Sequence, residues 1–297
     1  MGIGELIEKS FIEYKKNFKD YLKILIFLYI IPFVIFIILT AAFFSEIFYF
    51  QKTNLDIVGY DSYSPLGSLN FFQVIFLILI FIALFFIQNF FTSSLVYYSL
   101  YKKDKSLSFK EILSGGKKYF WKFLGLNMLI FLLIIVLTLP LTITFIIIML
   151  TSLSSLISLN SVMVLLIFLL FLLLIPILFL TIFYFSIKWI FSPFVLIGEN
   201  KGIIESLKIS SSMVKKRWWI TFFYVFLFFI ILMAIFMIIL LILFIISFIS
   251  LIIIKSNFII GIIYNIIDVI LLSLVMPLSI IFLKNFYLMR KNDIKNK

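Results

Sequence analysis

Asp268 is the acidic residue with the most unusual sequence surroundings, because it lies inside the apolar stretch YNIIDVILL. An ionised aspartate near the centre of a bilayer costs about 2.5–3.5 kcal/mol on insertion scales, so it must be neutral, paired or hydrated. Asn265 and Tyr264 precede it by three and four residues, which places the three side chains on one helical face. With the amides of other apolar stretches they predict an intramembrane polar cluster of Asp268, Asn265, Tyr264, Asn89, Gln88 and Asn127.

Two roles are open for this polar cluster. Its side chains can join helices by hydrogen bonds, which contribute about 0.6–2 kcal/mol per contact in membranes. Alternatively, they can line a pathway for a small solute or a proton, because ionisable groups inside membranes often mark such pathways. The variant Asp268→Asn tests the cluster, which fails as a hypothesis if folding and any measured transport are both unchanged.

Glu199 and Glu205 form a second candidate pair, because two carboxylates can perform acid–base chemistry. They are six residues apart and therefore do not share a helical face. We expect Glu205 to balance Lys208 or to lie at a helix N-terminus, where the helix dipole favours anions. The chain contains no Cys and no His, so thiol, imidazole and soft metal chemistry are excluded. We predict no catalytic residue, no metal site and no cofactor.

Basic residues are the third group with possible chemistry. The net charge is +12, but the cations lie in short segments between apolar runs, which is typical of membrane topology and not of nucleic-acid binding. Topology alone accounts for such segments, and binding of anionic lipid headgroups is the alternative. The candidates for headgroup binding are Lys15, Lys16, Lys117, Lys118, Lys215, Lys216 and Arg217.

The elements that must position these residues are membrane-spanning helices. The chain is 65% apolar and only 13% charged, and a span needs about 20 apolar residues. All but two of the 25 Lys and Arg residues fall before the first span, in alternate loops or in the tail. The positive-inside rule therefore predicts an even number of spans, with both termini in the cytoplasm and the protein in the cell membrane. The predicted spans are approximately 24–44, 71–100, 123–150, 162–187, 220–249 and 258–283.

An internal repeat is predicted from the segments that precede the odd-numbered spans. Before the first span, apolar residues recur at helical spacing from Ile3 through Ile7 and Phe11, which predicts an interfacial helix over 3–22. A shorter version with Glu111 precedes the third span and lacks four residues. We expect one membrane domain, 1–297, built from three units of an interfacial helix and two spans. Glu5, Ser10, Lys15 and Lys16 recur 200 residues later as Glu205, Ser210, Lys215 and Lys216.

The segment SPFVLIGENKGIIESLKISSSMVKKRWW resembles the signature of a known membrane-domain family. That family includes the membrane domain fused to some glycerophosphoryl diester phosphodiesterases and stand-alone YciC-like multipass proteins. The resemblance implies a six-span membrane domain without an assigned reaction. The chain has no room for the soluble phosphodiesterase barrel, so that activity is not carried over. The resembling positions are Pro193, Glu199, Gly202, Leu207 and Ser210, followed by Lys215 and Trp218.

The sequence therefore favours a non-catalytic membrane module that organises lipids or partner proteins. A transporter or channel that uses the cluster around Asp268 is the main alternative, and a lipid-modifying intramembrane enzyme is the third. The expected partners are membrane lipids, in particular anionic headgroups, and a protein partner that the sequence does not identify. Nucleic acid is not an expected partner.

Overall fold

The computed structural model describes residues 2–36, 38–39, 71–102, 107–157, 161–253 and 257–295. Within some helices it describes the backbone alone, including 151–157, 161–168, 246–253 and 257–273. Every regular element in these ranges is helical. The elements are α1 (Ile3–Lys16), α2 (Phe18–Leu25), a π-helical turn (Ile26–Ile30), α3 (Phe71–Tyr101), α4 (Phe109–Ile157), α5 (Ser161–Lys188), α6 (Ser192–Gly198), α7 (Ile203–Lys215), α8 (Trp218–Ile253) and α9 (Asn257–Lys295).

Four stretches of the described residues are long and apolar enough to cross a membrane. They also keep large apolar side chains on their surface, such as Phe81, 69% exposed, and Met237, 64% exposed. Surface of this kind is solvated by lipid and not by water. The prediction of an all-helical chain with several helices suited to span a membrane is confirmed for the described residues. The four stretches are Val74–Tyr101, Phe109–Thr144, Ile175–Gly198 and Trp218–Ile242.

The first and last predicted spans are only partly described. Residues 37 and 40–44 of the first lie outside the described residues. The last, 258–283, falls within α9, where side chains are described only from residue 274 onward. The count of six spans therefore stays a prediction.

The chain forms two compact units, one of Met1–Phe120 with Leu227–Asn285 and the other of Trp121–Phe226 with Phe286–Lys297. The core of the first unit is a buried cluster that joins the chain start to α3. Tyr21 and Tyr98 pack edge to face there, with ring centroids 4.9 Å apart, which is a favourable aromatic geometry.

The π-helical turn lies just before Pro32, whose missing N–H and ring disturb the helical bond to the carbonyl four residues earlier.

The second unit has its most deeply buried described segment in α6. Pro193 lies in the first turn of this short helix, where a missing N–H is tolerated. Asn200 then adopts a φ of 50°, a left-handed conformation that asparagine accepts more readily than most residues. This turn reverses the chain into α7, whose N-cap is Gly202. The α6–α7 hairpin therefore brings Pro193, Glu199, Gly202, Leu207 and Ser210 into one packed structure.

The first interfacial segment differs from the predicted single helix over 3–22. It breaks at Asn17, where α1 ends and α2 begins. The side chains buried against the protein are Leu6 and Ser10, one position away from the predicted apolar stripe of Ile3, Ile7 and Phe11, which is only half-buried. The reason is that an apolar stripe in a membrane can face lipid, so it does not identify the face that packs against protein.

The middle interfacial segment is not a separate helix. It forms the first turns of α4, which continues from Phe109 to Ile157 and passes through Pro140. By contrast, α7 ends at Lys215 and α8 begins at Trp218 after a short turn. The other two segments break beside two adjacent lysines, at Asn17 and between Lys215 and Trp218, whereas α4 continues past Lys117 and Lys118 without a break. The predicted span 123–150 is therefore the central part of a longer helix.

Candidate functional site

The predicted polar cluster is only partly described. Asp268, Asn265 and Tyr264 lie on α9 where the side chains are outside the described part of the structure. Asn89 on α3 is 2% exposed, and its Nδ2 donates to the carbonyl of Phe85 in its own helix at 2.8 Å. The backbone carbonyl of Gln88 accepts a hydrogen bond from the Thr92 hydroxyl in the same helix. Asn127 is half-buried on α4. The cluster around Asp268 therefore stays a prediction.

Glu199, at the end of α6, is held by two side chains from α9. The phenol of Tyr287 donates to its Oε1 at 2.6 Å, and the Nζ of Lys291 lies 2.8 Å from the same oxygen. Burial would raise the pKa of Glu199, but the hydrogen bonds and the lysine charge lower it below the ordinary value. Burial, together with the bond to the carboxylate, raises the pKa of the Tyr287 phenol. Glu199 is therefore an ionised anchor for the end of α9.

Asp20 is held in the same way in the other unit. The phenol of Tyr98 donates to its Oδ2 at 2.7 Å, and Lys102 forms an ion pair with the same oxygen. Burial opposes ionisation, but the bonds from Lys102 and Tyr98 lower the pKa of Asp20 below its ordinary value. In both cases the lysine follows the tyrosine by four residues on one helix. We call this arrangement a carboxylate clamp.

A third Tyr-x-x-x-Lys sequence closes α5. Tyr184 is followed by Lys188, whose Nζ lies 5.8 Å from the centre of the Tyr184 ring. No ion pair of Lys188 is found among the described side chains. The clamps are not among the features predicted from the sequence, although the spacing of YSLYK, YFSIK and YLMRK near the ends of three predicted spans is visible there.

Glu205 and Glu199 pair with different lysines. Glu205 forms an exposed ion pair with Lys201, four residues earlier, at 2.6 Å. The expectation that it balances Lys208 is therefore wrong, because Lys201, which lies two residues before α7 begins, is its ion-pair partner. The position of Glu205 in the first turn of α7 agrees with the predicted N-terminal location.

A buried ion pair also joins α1 to α9. The Nζ of Lys284 lies 2.6 Å from both carboxylate oxygens of Glu13, and the Nδ2 of Asn285 donates to Glu13 and to Ser10, each at 3.2 Å. The Lys284 side chain is only 8% exposed. Burial lowers the pKa of Lys284, and the charge of Glu13 opposes that shift. Sequence patterns do not reveal this pair, since its members are 271 residues apart.

The three interfacial segments begin in the same way. Gly2, Ser108 and Gly202 each precede the helix, and each is followed three residues later by a glutamate. In two of them the glutamate accepts the backbone N–H of the preceding cap residue, at 3.1 Å for Glu5 and 2.7 Å for Glu111. At Ser108 the pattern is reciprocal, because the N–H of Glu111 also donates to the Ser108 hydroxyl at 3.3 Å. These bonds satisfy donors that the first helical turn leaves free.

A small buried residue follows each of these caps by eight positions, and each packs against a different span end. Ser10 accepts from Asn285, whereas Ser210 accepts the N–H of Phe191 and donates to the carbonyl of Lys188, both at 3.1 Å. Gly116 approaches α3 so closely that a Cβ at this position would clash with Ser94. These shared contacts are what three related units would produce.

Six of the seven residues predicted to bind lipid headgroups are lysines that stand next to one another in twos, and we call them the lysine pairs. All six are exposed and form no ion pair within the described part of the chain. Arg217 is different, because its Nη1 lies 2.6 Å from Asp293. The lysine pairs are Lys15 with Lys16, Lys117 with Lys118, and Lys215 with Lys216.

Comparisons with protein-family models, with curated proteins and with solved structures find no match to this chain. The candidate site is therefore defined by its own geometry. That geometry combines carboxylates held internally by buried or half-buried cations with lysine pairs that remain exposed. Such an arrangement can hold anions at a membrane surface, because Glu13, Asp20 and Glu199 are already paired with other lysines and do not compete for the exposed ones.

Proposed function

We propose that this protein is a non-catalytic membrane module that gathers anionic lipid headgroups at its cytoplasmic face. In this proposal both termini are cytoplasmic and six spans cross the cell membrane. The single observation that carries it is the exposure of the lysine pairs, while Glu13, Asp20 and Glu199 are each bound to a different lysine. The cations that remain exposed are therefore the ones available to lipid.

The placement of the lysine pairs supports this proposal. Lys15, Lys16 and Lys215 lie in the last turns of α1 and α7, whereas Glu5 and Glu205 lie in the first turns. The acidic and basic ends of each helix are thus separated, in the order that the helix dipole favours. Each lysine near an anionic membrane surface contributes roughly 1 kcal/mol. Three pairs on three segments would attract several headgroups at once.

The predicted repeat supports the same proposal. In our interpretation, each unit supplies an interfacial segment with one lysine pair, a cap followed by glutamate, and a small residue against a span end. Each repeat unit would then present its own lysine pair to lipid headgroups. A protein partner with an acidic surface would use the same cations, so the experiment must distinguish lipid from protein.

The test measures the lipids that surround the purified protein in nanodiscs made from equal amounts of phosphatidylcholine and phosphatidylglycerol. Native mass spectrometry would compare the wild type with a variant in which all six residues of the lysine pairs are replaced by Gln. We expect enrichment of phosphatidylglycerol around the wild type and loss of that enrichment in the variant. Since only lipid is present, a protein partner cannot produce this result.

A matched control removes the same charge at six other exposed lysines. We expect this control to retain most of the enrichment. If the control and the lysine-pair variant lose it equally, net charge alone is responsible and the proposed role of the pairs is wrong. The control positions are Lys9, Lys19, Lys23, Lys110, Lys122 and Lys208.

A further inference from the structure

Arg290, near the end of α9, is a buried cation without sufficient hydrogen-bond acceptors. The residue is 3% exposed, and its Nε and Nη2 find no acceptor within the described structure. Its Nη1 lies 3.7 Å from Asp293, which is too long for a good hydrogen bond. Buried arginine N–H groups are normally bonded, and exceptions often mark a site for an ion or a ligand.

A second guanidinium lies close to Arg290. Arg217 forms a 2.6 Å bond to Asp293, so a single carboxylate is shared by two arginines. Burial and the positive charge of Arg217 both lower the pKa of Arg290, and the charge of Asp293 opposes them. Two arginines with one aspartate leave a local excess of one positive charge.

Asp293 forms a short bond to one of the two arginines and only a long contact to the other. Its Oδ2 is 2.6 Å from Arg217 but 3.7 Å from Arg290. Its side chain is 39% exposed, and it lies two residues before the end of α9. A phosphate group has more acceptor oxygens than a carboxylate and matches the planar donor fork of arginine.

We propose that Arg290 and Arg217 form a binding site for a phosphate group, and that Asp293 competes with that phosphate for the two guanidinium groups. The phosphate is carried by a phospholipid headgroup or is free in solution. Arg217 directly follows Lys215 and Lys216 in the chain, but the site uses neither lysine, so it does not depend on the proposed function.

Isothermal titration calorimetry of the full-length protein in dodecyl maltoside would test the site with two probes. One probe is inorganic phosphate and the other is short-chain phosphatidylglycerol below its micelle concentration. We expect Asp293→Asn to bind at least one probe about tenfold more tightly than the wild type, because the competing carboxylate is neutralised. We expect Arg290→Lys to bind about tenfold more weakly, because the charge remains but the donor fork is lost.

Two exposed substitutions serve as matched controls, Glu8→Gln for the acid and Lys110→Gln for the base. Neither should change the affinity. Should Arg290→Lys fail to fold, Arg217→Lys replaces it, because Arg217 is more exposed. Binding of phosphatidylglycerol alone identifies a lipid headgroup, and binding of both probes identifies the phosphate group itself.

The proposal is overturned if Asp293→Asn binds no more tightly than Glu8→Gln, or if neither probe binds. The same titration of the lysine-pair variant separates this site from the proposed function. Retained calorimetric binding together with lost lipid enrichment would support the lysine pairs and the phosphate site independently. Lost calorimetric binding in the lysine-pair variant would show that the arginines do not form a separate site.

Discussion

The phenol of Tyr287 donates a 2.6 Å hydrogen bond to the carboxylate of Glu199, which lies 88 residues earlier in the chain. Lys291 adds its charge to the same oxygen from one helical turn further along α9. The Glu199 side chain is half-buried, and removing a carboxylate from water is favourable only when it is paired and hydrogen-bonded. The clamp therefore fixes the end of α9 against the α6–α7 hairpin, and both partners contribute to that attachment.

Replacing Tyr287 by Phe should destabilise the protein by about 1.5–3 kcal/mol, the usual contribution of a hydrogen bond to a charged group. Unfolding by sodium dodecyl sulfate in mixed micelles measures this change. The control is Tyr184→Phe, because Tyr184 is 45% exposed and surface substitutions usually change stability by less than about 0.5 kcal/mol. Equal effects of the two substitutions would show that the bond to Glu199 contributes nothing specific.

The clamps also predict how stability depends on pH. The pKa values of Glu199 and Asp20 are lowered in the folded protein, so each carboxylate contributes stability above its unfolded pKa, about 4.3 for Glu and 3.9 for Asp. That contribution is lost as pH falls through the lower, folded values. We expect constant stability near neutral pH and a decline below about pH 4.

Variants of the clamps should change the decline in stability at acidic pH, here called the acid limb. Glu199→Gln should be less stable than the wild type near neutral pH and should show a shallower decline on acidification. Glu8→Gln, which removes an exposed carboxylate, should leave the acid limb as it is in the wild type. Melting temperatures recorded between about pH 3 and 7 check both statements. An acid limb that is identical in Glu199→Gln and in the wild type would contradict the role of the clamp.

The pair of Glu13 and Lys284 should behave as a coupled unit. Removing one member of a buried ion pair costs about 3–5 kcal/mol, because the other charge is left buried without a partner. Glu13→Gln should therefore be strongly destabilising, whereas Glu13→Gln combined with Lys284→Met should recover part of the loss. A double-mutant cycle of unfolding free energies measures the coupling. Additive effects would show that the two side chains do not interact.

The sequence predicted the helical membrane class because lipid solvation depends on composition and on the length of apolar runs. It did not predict which face of α1 packs against protein, since lipid and protein both accept the apolar stripe that includes Ile7 and Phe11. The partners of Asp20 and Glu13 lie 82 and 271 residues away. A single sequence gives the Tyr-x-x-x-Lys spacing of a clamp, but it does not say which carboxylate the clamp holds.

The predicted topology can be tested directly because the chain contains no cysteine. Single cysteines in the basic segments should react with a membrane-impermeant maleimide only after the membrane is opened, and cysteines in the other loops should react before. This follows from six spans with both termini cytoplasmic. Reaction of an N-terminal cysteine in sealed cells would invalidate the orientation. Suitable inner positions are Lys9, Lys110, Lys208 and Lys295, and suitable outer positions are Asp61 and Lys255.

A substitution at Gly116 tests the close contact between the middle interfacial segment and α3. Replacing glycine by alanine inside a helix ordinarily stabilises a protein by about 0.5–1 kcal/mol. At Gly116 the added Cβ would clash with Ser94, so we expect Gly116→Ala to destabilise by about 1–3 kcal/mol through overpacking. Gly4→Ala is the control, because nothing lies within 4 Å of a Cβ built there.

The predicted repeat extends this test to Ser10 and Ser210, which occupy the corresponding positions and are fully buried. If the three units share one packing scheme, Ser10→Val and Ser210→Val should each destabilise the protein about as much as Gly116→Ala, by roughly 1–3 kcal/mol. Each adds volume, and each also removes a hydroxyl that bonds a neighbouring span end. Ser212, which is exposed on α7, provides the matched substitution Ser212→Val. Losses at only one of the three positions would show that the similar caps and spacings do not reflect a common unit.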